Sequence, residues 1–281
     1  HSPFSIINTE TNPELPSRKI RVEVHLLRDR SFLRRIAANL LRLENLMKNL
    51  VIGQSGGPTA VINASLYGAV KAFKESGTDG HVLGMINGIE GFLADHVMDL
   101  STDLSDEELE LLKLTPAAYL GSCRYKLPAD LESEVYPAIF DNFREMNIGY
   151  FLYVGGNDSM DTVDKLSRYA EKIGSDVKFI GIPKTIDNDL VLTDHTPGFG
   201  SAAKYVASTV REIVLDASVY QQKSVTIVEI MGRHAGWLTA ASRLARKYEG
   251  DNPYLIYLPE APFSLEQFYK DLEKELKKSP N

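Results

Sequence analysis

The residues best suited to chemistry lie in the stretch Pro183-Lys184-Thr185-Ile186-Asp187-Asn188-Asp189. Two carboxylates two positions apart, beside a lysine and a threonine, do not help a turn to form. They supply instead what phosphoryl transfer needs: a carboxylate to accept the proton of an attacking hydroxyl, a second acid to help hold magnesium, and a cation to neutralise the transferred group. Three other stretches carry related groups. Gly53-Gln54-Ser55-Gly56-Gly57-Pro58-Thr59 has glycines that let the backbone approach a ligand, and a following helix would offer free N–H groups to a phosphate; a purely steric strand-to-helix turn fits it equally well. Gly155-Gly156-Asn157-Asp158-Ser159 offers hard oxygens of the kind magnesium prefers, the alternative being a tight turn with Asp158 and Ser159 as N-caps. Met231-Gly232-Arg233 presents an arginine able to bind a phosphate oxygen or spread transition-state charge, or simply a surface arginine beside a glycine turn.

These stretches follow apolar runs. The predicted strands are Asn49–Gly53, His81–Ile86, Tyr150–Val154, Val177–Ile182, Ser224–Ile230 and Tyr254–Leu258. Between and after them, helical periodicity covers Thr59–Ser76, Leu131–Asn147, Met160–Ile173, Ser201–Tyr220, Ala235–Tyr248 and Leu265–Lys278, the last opened by the capping-box pair Ser264 and Gln267. Such alternation predicts an α/β fold with a mostly parallel sheet, whose ligands bind at the carboxyl ends of the strands. All four stretches fall there.

The chain has 281 residues, 43% hydrophobic and 25% charged, which is ordinary globular composition. Its net charge of −7 argues against wholesale nucleic-acid binding. Residues 1–46 carry 8 Lys/Arg against 5 Asp/Glu, a net +3, so the remainder carries 23 against 33, a net −10. A phosphate site in that acidic remainder must gather positive groups locally. No apolar run reaches the eighteen or so residues of a membrane span, and no signal peptide is recognisable. Cys123 is the single cysteine, which excludes an intrachain disulfide and fits a reducing, cytoplasmic setting. Residues 1–27 lack periodicity and read as poorly ordered. From Arg28 to Leu46 apolar residues recur at helical spacing, and Met47-Lys48-Asn49 looks like a natural beginning.

Taken together, Ser55-Gly56-Gly57, Gly155-Gly156-Asn157-Asp158, Thr185-Ile186-Asp187-Asn188-Asp189 and Met231-Gly232-Arg233, in this order on this strand pattern, resemble the phosphofructokinase family. Leu120-Gly121-Ser122-Cys123-Arg124 resembles a fifth family piece, whose arginine faces the donor phosphates. The resemblance covers about residues 47–281. It implies two similar three-layer α/β/α domains with mostly parallel sheets, the second incomplete in this chain. The expected organisation is an extension at 1–46, a phosphoryl-donor domain at 47–200 and a partial sugar-phosphate domain at 201–281. It implies further that Asp187 is the base for a sugar C1 hydroxyl, that Thr185 and Asp187 hold the reacting end of the sugar phosphate, and that Met231, Gly232 and Arg233 line the sugar site. Gly57 and Arg124 would cradle the donor. Asn157 stands where the family usually has a magnesium-binding Asp, so Mg2+ would draw on Asn157 together with Asp158 or Asp189.

Within the family, ATP users resemble GGDG and PGTIDND, while pyrophosphate users resemble GGDD and PKTIDND. Asp158 and Lys184 both match the pyrophosphate type. The physics agrees: an Asp side chain fills the room that glycine leaves for a nucleotide's α-phosphate and opposes it with like charge. At about 4 Å and an effective dielectric near 20, that repulsion is roughly 4 kcal/mol. Lys184 would stabilise charge on the transferring or leaving phosphate. The expected activity is therefore transfer from pyrophosphate to the C1 hydroxyl of fructose 6-phosphate, in a cytoplasmic homodimer or homotetramer without nucleic-acid or membrane partners. Family members usually run on beyond the point where this chain stops; the expectation is a fragment of a full enzyme, the alternative a truncated, inactive product. The competing expectations are an ATP-dependent enzyme, a truncated non-catalytic sugar-phosphate binder, and a Rossmann dehydrogenase, the last lacking the G-x-G-x-x-G spacing.

Overall fold

The structure, a computed structural model, describes residues 48–278. The extension expected at 1–46, with its amphipathic helix, lies outside the described residues. The chain divides into two compact units at the Lys184–Thr185 bond.

The first unit is a five-stranded sheet with helices on both faces. Its strands are β1 (Asn49–Gln54), β2 (Val82–Met85), β3 (Val97–Asp99), β4 (Ile148–Gly155) and β5 (Lys178–Pro183), in the order β3-β2-β1-β4-β5. All pairs are parallel except β2 with β3. Side chains on β1 and β4 alternate between the faces. Leu50, Ile52, Tyr150, Leu152 and Val154 pack against α1 (Ile62–Glu75) and α3 (Asp106–Leu112), in one core layer. Val51, Phe151 and Tyr153 face α2 (Gly88–Leu93), α4 (Val135–Glu145) and α5 (Asn157–Ile173), in the other. Every residue of β4 is buried, as expected of a central strand covered on both faces.

The chain leaves β1 for β2 on one side, whereas β4 pairs on the other. The crevice between β1 and β4 is thus the topological switch point, where parallel sheets bind ligands. The loops after β1 and β4 carry two of the four motifs.

The segment α2-β3-α3 was not expected. The strand β3 has three residues, too few for an alternation signal, but α3 has a legible start. Ser105 accepts from the Glu108 amide and Glu108 reaches back to the Ser105 amide, a complete capping box.

The second unit contains α6 (Phe199–Ser218), the short α7 (Trp237–Ala241) continued by a 3₁₀ turn at Ser242–Ala245, and α8 (Leu265–Lys278). At the start of α8 the Gln267 amide donates to Ser264 Oγ at 3.3 Å, half of the expected box, while the Gln267 side chain turns to Asp271 instead. Two expectations need correction. Ser224–Ile230 and Tyr254–Leu258 form no strand: a strand exists only within a hydrogen-bonded ladder, neither segment joins one among the described residues, and Ile227 is 78% exposed. The helix expected over Ala235–Tyr248 ends early. Arg246 turns extended, its Nε donating to the Pro253 carbonyl at 2.6 Å, and the Asp251 carboxylate takes the amides of Lys247 and Tyr248. Local side-chain bonds of this kind compete with helix continuation. Residues 185–200, expected with the first domain, group with the second unit; within the segment Thr185 bridges to Gly198 and its amide donates to Pro197.

Candidate active site

Three loops of the first unit meet at the carboxyl ends of β1, β4 and β5. Gln54, the last residue of β1, is fully buried. Its Nε2 donates to Asn63 Oδ1 at 2.9 Å and its Oε1 accepts from the Leu120 amide at 2.9 Å. Asn63 in turn accepts from the Tyr119 amide at 2.8 Å and donates to the Thr115 carbonyl. These two amides tie the start of α1 to the strap that carries Arg124. The strap is also bound to the glycine loop directly: Ser122 Oγ donates to the Gly56 carbonyl at 2.6 Å, and the Gly56 amide donates to Cys123.

Gly56 has φ 73°, in the left-handed region where glycine is favoured. A Cβ there would stand 3.5 Å from Lys184 Nζ, and one on Gly57 would stand 4.0 Å from an Arg124 guanidinium nitrogen. Lys184 Nζ donates to the Gly57 carbonyl. The loop is thus flanked by two cations, the local positive charge that the acidic composition required. Lys184 is only 3% exposed. Burial first, and then the Arg124 charge, push its ammonium down to about 8.

The loop after β4 opens α5. Its N-cap, Gly156, has no side-chain cap bond, so neither Asp158 nor Ser159 serves as the N-cap. Ser159 is buried and its hydroxyl pairs with that of Ser55, joining the β1 and β4 loops. A Cβ on Gly155 would fall 1.8 Å from Ser159 Oγ, so glycine is required there. Asn157 and Asp158 occupy the first turn, exposed at the helix end where free N–H groups favour anions. Asp158 Oδ1 pairs with Lys126 Nζ at 3.2 Å.

In the second unit the Thr185–Asp189 loop is braced from behind. Asn188, at φ 57°, donates through Nδ2 to the Asp194 carbonyl at 3.0 Å and accepts from the Thr196 amide at 2.8 Å. Thr196 Oγ1 donates to the Thr185 carbonyl at 2.9 Å. This bracing leaves Asp187 half-buried, with Oδ1 among the buried side-chain atoms that have no hydrogen-bond partner. Burial and the neighbouring Asp189 charge raise its carboxyl above the usual range, and Arg233 opposes them. Asp189 and Arg233 are exposed. Gly232 has φ 149°, and a Cβ there would fall 2.4 Å from the Ala235 carbonyl oxygen, so the Met231-Gly232-Arg233 turn needs its glycine.

The structure therefore gathers Gly57, Arg124, Lys184, Asn157 and Asp158 at one edge of the first unit, and Thr185, Asp187, Asp189, Met231, Gly232 and Arg233 in loops of the second. Asn63, Lys126 and Thr196 lie outside the motifs, and the hydrogen bonds made by Gln54, Ser159 and Asn188 inside them were not read from the sequence. A buried Gln closing an otherwise apolar strand was the one visible signal. Among the described residues no three His, Cys, Asp or Glu side chains cluster to hold a metal ion. Magnesium needs no such cage, since it keeps waters and binds through one or two oxygen side chains plus phosphates; the hard oxygens of Asn157 and Asp158 in the first unit suit it in that mode, as does, separately, that of Asp189 in the second.

A family model described as phosphofructokinase matches residues 49–281. A pyrophosphate--fructose 6-phosphate 1-phosphotransferase of Halomonas elongata is 44% identical over 235 residues, 82% of this chain and 56% of that protein. The crystal structure of a pyrophosphate-dependent phosphofructokinase from Marinobacter aquaeolei matches with 43% identity and a TM-score of 0.74, over 82% of this chain and 57% of that one. Another, from Nitrosospira multiformis, matches with 40% identity and a TM-score of 0.76, over 83% and 58%. The chain spans little more than half the length of these relatives.

Proposed function

This chain belongs to the phosphofructokinase family, and on that premise we propose that it transfers a phosphoryl group from pyrophosphate to the C1 hydroxyl of fructose 6-phosphate, giving fructose 1,6-bisphosphate and phosphate. The observation that carries the choice of donor is the pair of side chains at the first unit's loop edge. Lys184 is buried against Gly57, and Asp158 stands at the first turn of α5. The Halomonas elongata relative, 44% identical, and the Marinobacter aquaeolei structure, 43% identical, carry the pyrophosphate name.

In this reading Gly57 and the N-terminus of α5 receive pyrophosphate through backbone N–H groups. Arg124 and Lys184 meet its charge, and Lys184 stabilises the phosphate that leaves. Although its free ammonium titrates near 8, a bound polyanion holds it protonated. Asp158 occupies the place of a nucleotide's α-phosphate and repels it. In the second unit Thr185 and Asp187 hold the C1 end of the sugar, and Met231, Gly232 and Arg233 contact the sugar phosphate. The ionised Asp187 takes the C1 hydroxyl proton as the oxygen attacks phosphorus; its unpartnered Oδ1 is free to accept it. Asn157 of the first unit would hold magnesium, with Asp189 as a further candidate ligand, and when bound the ion would neutralise phosphate charge. We place the reaction in the cytoplasm, in a homodimer or homotetramer. Tyr205 and Leu215 of α6, both exposed, are apolar surface that a second subunit would cover. No helix among the described residues is long and apolar enough to cross a membrane.

The test is a donor assay with fructose 6-phosphate, magnesium and either pyrophosphate or ATP. Turnover with pyrophosphate alone is expected. Turnover with ATP alone would overturn the donor reading, and binding of sugar phosphate without turnover would make the chain a non-catalytic binder.

A further inference from the structure

The strap 121–128 alternates like a strand laid over the first unit. Cys123 and Leu127 are buried, Tyr125 packs partly against the core, and Arg124 and Lys126 point outward. Its ends are pinned. Ser122 donates to Gly56, Lys165 Nζ of α5 donates to the Leu127 carbonyl at 3.0 Å, and Tyr136 Oη of α4 donates to the Pro128 carbonyl at 2.5 Å. Lys126 therefore projects from a fixed backbone, two residues beyond the arginine that flanks Gly57. Its ammonium lies 3.2 Å from Asp158 Oδ1, and both side chains are more than 70% exposed.

An exposed ion pair adds little to stability, typically ~0–1 kcal/mol. It does decide where a mobile carboxylate spends its time. Among the described residues Lys126 is the ion-pair partner of Asp158, and the Asp158 backbone is held within α5, where its carbonyl accepts from Thr162 Oγ1. We propose that Lys126 is a specificity-determining positioning residue: by fixing the Asp158 carboxylate over the N-terminus of α5, it keeps the pyrophosphate site closed to nucleotides. The proposal rests on the reading of Asp158 as the residue that excludes a nucleotide. Without Lys126 the carboxylate swings into solvent and its obstruction of an α-phosphate relaxes. The lost cation itself weakens every polyanion alike, so the signature is a change in the ratio of affinities.

The experiment measures magnesium pyrophosphate binding to the full chain by calorimetry, and magnesium ATP binding by competition. Lys126→Met should lower the pyrophosphate-to-ATP affinity ratio by about fivefold, the effect of an exposed pair near the upper end of its usual energy. Lys126→Arg should restore the ratio to within about twofold, and in an Asp158→Gly background Lys126→Met should leave it unchanged. Equal weakening of both ligands by Lys126→Met, or an undiminished ratio change in the Asp158→Gly background, would overturn the proposal while leaving the donor reading standing. Wild-type chain that binds no pyrophosphate would overturn both.

Discussion

Lys184 at the end of β5 donates its ammonium hydrogen to the carbonyl oxygen of Gly57, 127 residues earlier in the chain. The bond draws a cation into the interior of the glycine loop, where water no longer solvates it fully. Lowering an ammonium from 10.5 to about 8 corresponds to roughly 3 kcal/mol of penalty on the charged form. Stability is given up at this point for a charge that, in the proposed function, meets the donor.

Replacing that charge should expose the exchange. Lys184→Met keeps the length of the side chain and removes the ammonium, and we expect the ligand-free variant to melt several degrees above the wild type at pH 7. The folded group has the lower pKa, so the unfolded chain binds the extra proton between about pH 8 and 10.5, and wild-type stability rises across that window. The gap between the two proteins should close there. Pyrophosphate turnover should fall by at least a hundredfold. Thermal melts from pH 7 to 10.5 check the first part; a variant less stable than wild type at pH 7 would contradict it.

The second prediction concerns the base. Asp187→Asn should retain fructose 6-phosphate binding and lose roughly 10²–10⁴-fold in turnover. Because the folded carboxyl titrates above its unfolded value, ionised Asp187 is a liability at neutral pH. The variant should therefore be the more stable protein at pH 7, and its advantage should shrink as the pH falls toward ~4, where the wild-type carboxyl protonates in both states. Denaturant melts at pH 7 and pH 4 decide the matter.

What the sequence disclosed and what it withheld divide along one line. Chemistry carried by unusual residue combinations was legible: nothing about a turn calls for Lys184, Thr185, Asp187 and Asp189 together. The strands of the first unit were legible too, because burial on both faces writes an unbroken apolar run such as Ile148–Gly155. The same signal misled at Ser224–Ile230, where β-forming residues join no ladder among the described residues. Pairing is a property of two segments, and a run of Val and Ile reports only one of them. The bracing of the loops was hidden for a related reason. Asn188 holding Thr196, or Gln54 holding Leu120, depends on which carbonyls and amides the fold brings within 3 Å.

Asp189 raises the Asp187 carboxyl through its like charge. Asp189→Asn removes that charge, so the acid limb of the pyrophosphate-dependent kcat/KM profile should move to lower pH, whatever happens to its height. Arg233 acts in the opposite sense, and Arg233→Met should move the limb to higher pH. Height and position are separable in a full pH profile. A limb that stays in place in both variants would remove Asp187 from the role of base.

The last prediction tests the support beneath the loops. Gln54→Leu is close in volume and apolar, yet it leaves the buried Leu120 amide without its acceptor and takes one of two donors from the Asn63 side-chain oxygen. A buried group that loses its partner costs about 1–3 kcal/mol, so the melting temperature should drop by several degrees. The strap bearing Arg124 then loses one of its ties to β1, and pyrophosphate affinity should fall with it, while sugar-phosphate affinity in the second unit is left within about twofold. Asn63→Ala, which breaks the same network from α1, should produce the same pattern. Thermal melts paired with calorimetric titration of each ligand would check it; a stability loss with unchanged pyrophosphate affinity would show that this buried network holds the fold without aligning the loops.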